Sequence, residues 1–257
     1  MVITYHTKRK SEFEERGEKM IYVTADIHGD VERFQSIMKQ IELKPSDILY
    51  VLGDVIDRKE HGFRILRQLI KMPNALIVRG NHEQMMLDAL GTTGELDTID
   101  EGAKKRWILN GGDITLNYLK HIRKSVRQEV LHYLAELPTS FEIVVNGKRY
   151  VLVHAAPPQL FDENHPRYGL YDNADEFSVW YRMRYYDWIP NDYTLIFGHT
   201  PTSWYQDAEP LRIFYDTNRI AIDCGAGFPK KGSPFFRIDG RLACLRLDDG
   251  KEFYSET

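Results

Sequence analysis

A chain of 257 residues with 42% hydrophobic content can bury a sizeable core, and nothing in it repeats or thins into a Pro/Gly/Ser linker. The net charge of −4 argues against a polyanion-binding face, so nucleic acid is not an expected partner. Cys224 and Cys244 form no C-x-x-C pair, no apolar run approaches the roughly 18 residues of a membrane span, and the first residues lack the apolar centre of a secretion signal; the expectation is a reduced, cytoplasmic protein without a membrane partner.

Residues 1–19 are charge-rich and are expected to form an appended arm, with residues 20–257 as one domain. Met20 to Ala25 reads as a strand running into Asp26-Ile27-His28-Gly29. A helix follows behind an Asp30 N-cap, with Val31, Phe34, Ile37, Met38 and Ile41 at helical spacing. Ile48 to Leu52 is a second strand, ending in Gly53-Asp54, and Phe63, Leu66, Leu69 and Ile70 mark a second helix. Ala75 to Val78 is a third strand, ending in Arg79-Gly80-Asn81-His82. This βαβαβ alternation implies a parallel sheet, and open α/β sheets place their sites beyond the carboxyl ends of the strands. Further on, Glu142 to Val145 and Arg149 to Val153 flank an Asn146-Gly147 turn, a hairpin signature, and the second strand delivers His154. From Phe161 to Tyr193 there are ten aromatic residues, above the chain's 12% average, which suit either a substrate lid or, as the favoured reading, a segment packed on its own side chains. Leu195 to Phe197 delivers Gly198-His199, Ile220 to Ile222 leads into Asp223, and Leu242 to Leu247 reads as one more strand. The expected fold is α/β, two mixed sheets packed face to face as a β-sandwich with helices outside, the early sheet mainly parallel.

Taken as chemistry, the strand ends supply Asp26, His28, Asp54, Asn81, His154 and His199. Carboxylate oxygen combined with imidazole nitrogen suits zinc, manganese or iron better than magnesium or calcium, which favour all-oxygen shells. Six donors exceed the needs of one ion. With Asp54 as a bridge, one ion takes Asp26, His28 and Asp54, and the other takes Asp54, Asn81, His154 and His199. Such a pair clamps a phosphoryl oxygen and holds a water as hydroxide, which points to phosphoester hydrolysis. Arg79 then reads as a bidentate fork for phosphate oxygens and Arg58 as a second clamp. His82 is the expected acid for a leaving alkoxide, and Asp57 the group that orients it. His6, His61, His121, His132 and His165 follow no strand end and are expected in solvent; Asp223 is expected to support the site from outside the ligand set, and Cys224 to be a small buried hydrophobe.

The motifs DIHG, GDVIDR, RGNHE, VHAA and IFGHT occur in that order, and the chain resembles the PPP-type phosphoprotein phosphatases of the calcineurin-like metallophosphoesterases. RGNHEQMMLDAL and the later Trp107-x-x-Asn110-Gly111-Gly112 are similar to the bacterial branch that includes the phosphatase of bacteriophage lambda. The resemblance runs from about Met20 to Cys224 and implies a β-sandwich flanked by helices. It implies two divalent metal ions, manganese first with iron, zinc or nickel as alternatives, and direct attack by a metal-bound hydroxide. It also implies a third phosphate-binding arginine: VWYRMRY at 179–185 points to Arg182, with Arg184 as competitor. The implied substrate is phosphoserine or phosphothreonine, with phosphotyrosine as an extension, in a protein or peptide. The alternative is a dinucleotide polyphosphate hydrolase or a broad phosphodiesterase, and a third reading is a metal-binding module without catalysis, which would not need His82, Asp57 and both motif arginines. Two departures stand out: Lys59-Glu60-His61 occupy the place of the family's Gly after Asp-Arg, so the rim beside Arg58 is expected to differ, and Ala25 replaces the usual Gly before Asp26.

Overall fold

Side chains alternate between the two faces of a strand, and here both faces of both sheets are apolar, so each sheet must be covered twice. In β1 (Ile21–Thr24), Tyr22 points to one side and Ile21 and Val23 to the other; in β2 (Ile48–Val51), Leu49 and Val51 oppose Tyr50. The computed structural model describes residues 19–162, 168–228 and 240–256. The expected arm, apart from Lys19, lies outside the described residues, as do His6 and His165.

The first sheet has the order β10-β9-β1-β2-β3, with β3 at Ala75–Ile77, β9 at Ala243–Arg246 and β10 at Glu252–Tyr254. β1, β2 and β3 run parallel, whereas β9 pairs antiparallel with both β1 and β10, so the sheet is evenly mixed rather than mainly parallel. The second sheet has the order β4-β5-β6-β8-β7, built from β4 (Ser140–Val145), β5 (Lys148–Val153), β6 (Thr194–Phe197), β7 (Phe214–Asp216) and β8 (Arg219–Ala221). Its three inner strands β5, β6 and β8 are parallel. The β4–β5 hairpin turns at Asn146 and Gly147, whose φ values of 49° and 78° are those the tight turn demands.

Three apolar layers result. Ile21, Val23, Tyr50 and Leu52 meet Tyr150, Leu152, Ile196 and Ile220 between the sheets. The outer face of the first sheet is covered by α1 (Val31–Ile41), α2 (Gly62–Lys71), α3 (Asn81–Leu90), α4 (Glu101–Leu109), α5 (Asp113–Leu119) and α6 (Lys124–Ala135). α1 starts where its cap residue predicts, the Asp30 carboxylate accepting from the Arg33 N–H at 3.0 Å. The outer face of the second sheet, Val151, Val153, Leu195 and Phe197, is covered by α7 (Ala174–Trp180) and the chain after it.

Half of the aromatic segment supplies that cover. Phe177 stacks on Tyr181 at 4.7 Å between centroids, and Phe161 and Tyr171 pack on Phe177. Tyr185, Tyr186 and Trp188 instead stand 73%, 67% and 73% exposed, so the packed reading holds for the first part of the segment and for Tyr193 but not for these three. No helix among the described residues is long and apolar enough to cross a membrane.

Candidate active site

The parallel strands of both sheets end at one rim. β1 delivers Asp26 and His28, β2 delivers Asp54, Asp57 and Arg58, and β3 delivers Asn81 and His82; from the second sheet, β5 ends at His154, β6 at His199 and β8 at Asp223. Backbone bonds tie the ends together: the Asp26 N–H donates to Gly53 O at 3.2 Å, the His28 N–H to Asp54 O at 2.9 Å, and the Gly198 N–H to His154 O at 2.8 Å. Other links cross between the sheets: His154 Nδ1 reaches Leu52 O at 2.7 Å, His154 Nε2 lies 2.9 Å from Asn81 Oδ1, and the His199 N–H donates to the Asp26 carboxylate at 3.0 Å.

Turning a strand so sharply that its next side chain faces the rim forces unusual backbone. Asp26, His28, Asp54, Asp57, Arg58 and His199 all have φ between 47° and 70°, six of the eight non-glycine residues with positive φ among those described. Strain of this kind persists only where the surroundings over-determine it, and it concentrates at functional sites. Close approach adds a second demand. A Cβ on Gly198 would lie 2.1 Å from Asp26 Oδ2, and one on Gly53 would lie 2.6 Å from the Gly80 Cα, so neither position accepts a side chain without displacing the rim.

Asp54 is the centre of the arrangement. Its Oδ2 lies 3.6 Å from His28 Nε2 and 3.8 Å from His82 Nε2, and its Oδ1 lies 3.4 Å from His154 Nε2 and accepts the His82 N–H at 3.0 Å. Two buried donor groups form around it, His28–Asp54–His82 and Asp54–His154–His199, each with its ligand atoms within 4.8 Å of one another. Asp54 belongs to both.

The protonation of the imidazoles shows whether a cation fits there. His154 Nδ1 faces Leu52 O, His28 Nδ1 faces Ile56 O at 3.1 Å, and His199 Nε2 faces Trp180 O at 3.2 Å. A carbonyl only accepts, so each ring spends its one proton on the backbone and turns a lone pair toward the Asp54 carboxylate or the Asn81 amide. Burial lowers the pKa of all three, with Arg58 adding to the effect on His28 and His154 adding to that on His199, so the rings stay neutral. Lone pairs from neutral nitrogens and carboxylate oxygens converging without protons between them are a ligand shell for divalent metal. The carboxylates agree. Burial, then Asp223 and Asp54, pushes Asp26 well above its ordinary range, and burial raises Asp223 to about 6, a crowding of acids that a bound cation would relieve.

The family of calcineurin-like phosphoesterases matches residues 19–224. The chain belongs to this family. It is 30% identical over 232 residues to serine/threonine-protein phosphatase 2 of Salmonella typhimurium, covering 85% of this chain and 92% of that one. It is 33% identical over 142 residues to the protein of the same name in Escherichia coli, there spanning 54% of this chain and 59% of its relative. It is also similar to the symmetrical bis(5'-nucleosyl)-tetraphosphatase of Pseudomonas fluorescens, 29% identical over 143 residues that cover 54% of this chain and 44% of the other.

His82 differs from the other imidazoles of this phosphoesterase. Burial opposes its charge, but Asp54 and a 2.7 Å hydrogen bond from Nδ1 to Asp57 Oδ2 outweigh it and raise its pKa. The same Asp57 oxygen accepts from Trp107 Nε1 at 2.8 Å, which fixes the carboxylate from the far side. Arg58 Nη2 lies 3.3 Å from His82 Nε2, so both groups face one point at the rim.

Of the basic side chains around the rim, one departs from expectation. The Arg79 guanidinium does not reach the rim: Nη1 donates to Gln84 Oε1 at 2.9 Å and Nη2 to Leu137 O at 2.9 Å and Ala135 O at 3.4 Å, so it ties α3 to the end of α6 rather than offering a fork to phosphate. Arg182 does reach it, Nη1 donating to His199 O at 2.7 Å, while the Arg184 guanidinium lies against the Trp204 ring. Lys59, at the altered rim, donates to the Asp30 carboxylate and, at 3.0 Å, to Ala226 O; Arg33 donates to the same carbonyl at 2.9 Å.

Glu83 and Trp107 carry weight that sequence reasoning did not assign. Glu83 is fully buried, and its carboxylate accepts four backbone N–H groups, Asp54 at 2.8 Å, Val55 at 2.9 Å, Gly80 at 3.1 Å and Ile56 at 3.4 Å. It thereby shapes the turn that carries Asp54. The signal was present, because a Glu three residues past the Gly80 cap is the capping-box spacing. Replacing Glu83 by Gln turns one acceptor into an N–H₂ group facing backbone donors. Glu83→Gln is expected to lower the free energy of urea unfolding by roughly 1–3 kcal/mol; unchanged stability would mean that the carboxylate does not hold the turn.

Proposed function

We propose that this calcineurin-like phosphoesterase is a serine/threonine protein phosphatase, extending to phosphotyrosine, that hydrolyses phosphomonoesters in phosphoproteins or phosphopeptides in the cytoplasm. The observation that carries the reading is the His82–Asp57 pair, an imidazole held at 2.7 Å by a buried carboxylate beside Arg58. A serine or threonine alkoxide cannot leave without a proton, and His82 is the only site imidazole whose pKa is raised rather than lowered. The names of the bacterial protein phosphatases it resembles support the same substrate class.

In this reading Asp26, His28 and Asp54 would hold one divalent ion, and Asp54, Asn81, His154 and His199 would hold the other. Manganese is the preferred ion, with iron, zinc and nickel as alternatives suited to the same nitrogen and oxygen donors. When bound, the ions supply Lewis-acid polarisation of a phosphoryl oxygen and lower the pKa of an attacking water. Arg58 and Arg182 bind the remaining phosphate oxygens from opposite sides of the donor groups, Arg58 beside His82 and Arg182 beside His199. His82 gives its proton to the leaving oxygen, and Asp57, itself fixed by Trp107, keeps the ring aimed and stabilises its charge.

The tetraphosphatase relative keeps a second reading in view, hydrolysis of dinucleotide polyphosphates. Substrate comparison separates them. With manganese present, kcat/KM on a panel of phosphoserine and phosphothreonine peptides is expected to exceed that on diadenosine tetraphosphate; a preference of more than tenfold in the other direction overturns the protein-phosphatase reading.

Leaving-group chemistry tests the role of His82. His82→Asn is expected to lower kcat on a phosphoserine peptide by about 10²–10⁴-fold and to lower it much less on p-nitrophenyl phosphate, whose phenolate departs without a proton. Equal losses on both substrates would remove His82 from the general-acid role.

A further inference from the structure

We infer that Arg184 and Trp204 form a second recognition site beside the phosphate pocket, which binds an acidic side chain flanking the phosphorylated residue of a peptide substrate. The inference rests on the protein-phosphatase reading and deepens it, naming what the site selects next to the phosphate.

After α7 the chain leaves the helix in extended backbone at Tyr181, and from there to Arg184 buried and partly exposed residues alternate. Tyr181 and Met183 turn inward and are buried, while Arg182 and Arg184 turn outward. Both guanidinium carbons lie 5.5 Å from the centroid of the Trp204 ring, which is itself 54% exposed. One solvent-facing indole thus gathers two cations, a geometry that orients guanidinium groups without neutralising them.

The backbone beneath is held firmly. Asp187 Oδ2 accepts from the Arg184 N–H at 2.7 Å and from Tyr181 Oη at 2.9 Å, Arg219 donates to Arg184 O and Asp187 O at 2.6 Å each, and Tyr205 Oη donates to Met183 O at 2.7 Å. The two outward arginines are employed differently. Arg182 spends a donor on His199 O, which anchors it to the metal-binding side, whereas the Arg184 guanidinium shows no hydrogen bond to the described residues and its Nε is buried without a partner. An arginine kept only for structure is used as Arg219 is, on backbone carbonyls. Arg184 is held in place, and among the described residues its donors are unspent.

Spacing identifies the ligand. Side chains two residues apart on an extended backbone stand roughly 6.6–7 Å apart, which is the spacing expected between a phosphorylated residue and the side chain two positions along a peptide lying beside Arg182 and Arg184. A phosphate on Arg182 therefore brings that neighbouring side chain to Arg184, where a carboxylate satisfies the open fork. Acidic groups nearby pull the other way: Asp187 lies beneath Arg184, and Asp207 and Glu209 line a hollow together with Trp204. The sign of the preference is consequently the decisive quantity.

The test compares phosphoserine peptides identical except for Glu, Gln or Lys two residues to either side of the phosphoserine, assayed with the manganese-loaded enzyme and each normalised to p-nitrophenyl phosphate turnover by the same variant. For the unmodified enzyme the Glu peptide is expected to exceed the Lys peptide by about five- to tenfold in kcat/KM, mainly through KM, and the ratio to shrink at high salt, as partly exposed charge pairs do. Arg184→Gln is expected to bring the ratio to within about twofold, and Arg184→Lys to keep most of it, because charge without the fork retains the Coulomb part. Absence of a charge preference in the unmodified enzyme, a preference for Lys, or an unchanged ratio in Arg184→Gln overturns the inference while leaving the phosphatase reading intact. If aryl phosphate is hydrolysed and no phosphopeptide is, that reading fails and this inference fails with it.

Discussion

The structure depends on one buried carboxylate. Asp54 is 2% exposed and is surrounded by four imidazoles, an arrangement that burial alone would make very unfavourable for a charged acid. Burial opposes its ionisation, and protonated imidazoles at His154, His82, His28 and His199 would hold it far below the usual carboxylate range; with His28, His154 and His199 neutral, that stabilisation falls to His82 and to a bound cation. Those imidazoles come from both sheets, so the carboxylate is also the point where the two halves of the sandwich are joined chemically. The positive-φ turns, the glycines at 53 and 198 and the Glu83 carboxylate all serve to hold the strand ends within reach of Asp54.

A division of labour among similar groups follows from what each ring touches on its other side. His28, His154 and His199 face backbone carbonyls and are neutral, with lone pairs toward the centre; His82 faces Asp57 and favours its charge. Four histidines in one small volume thereby separate into three neutral rings and one that favours its charge, without any difference in residue type. The same logic applies to the arginines, since Arg79 is spent on the carbonyls ending α6, Arg182 on the His199 carbonyl, and Arg58 faces the point that His82 faces. Direction and partner assign the role.

That principle explains what could be read in the sequence and what could not. Asp26, His28, Asp54, Asn81, His154 and His199 were legible because each follows a short apolar strand, and the rim of a parallel sheet gathers whatever follows such strands. α1 was legible from its cap and its periodic apolar face. α3 was not, since it is buried on nearly every side from Asn81 to Leu90 and carries no amphipathic period. Arg79 misled because adjacency to a ligand in sequence says nothing of side-chain direction: Asn81 turns to the rim, whereas Arg79 turns back to α6. Trp107 could be quoted as a motif but not given a role, because its partner Asp57 lies 50 residues away and only the fold brings them together. Lys59 likewise interrupts a familiar pattern, and its binding to Asp30 and Ala226 O is visible only once the loop after β8 lies across the start of α1.

Anomalous diffraction from crystals grown with manganese decides whether Asp54 is shared between two metal ions. Sharing gives two manganese peaks flanking the Asp54 carboxylate, one toward His28 and the other toward His154 and His199. A single peak bound without Asp54, or two peaks neither of which touches it, rules sharing out.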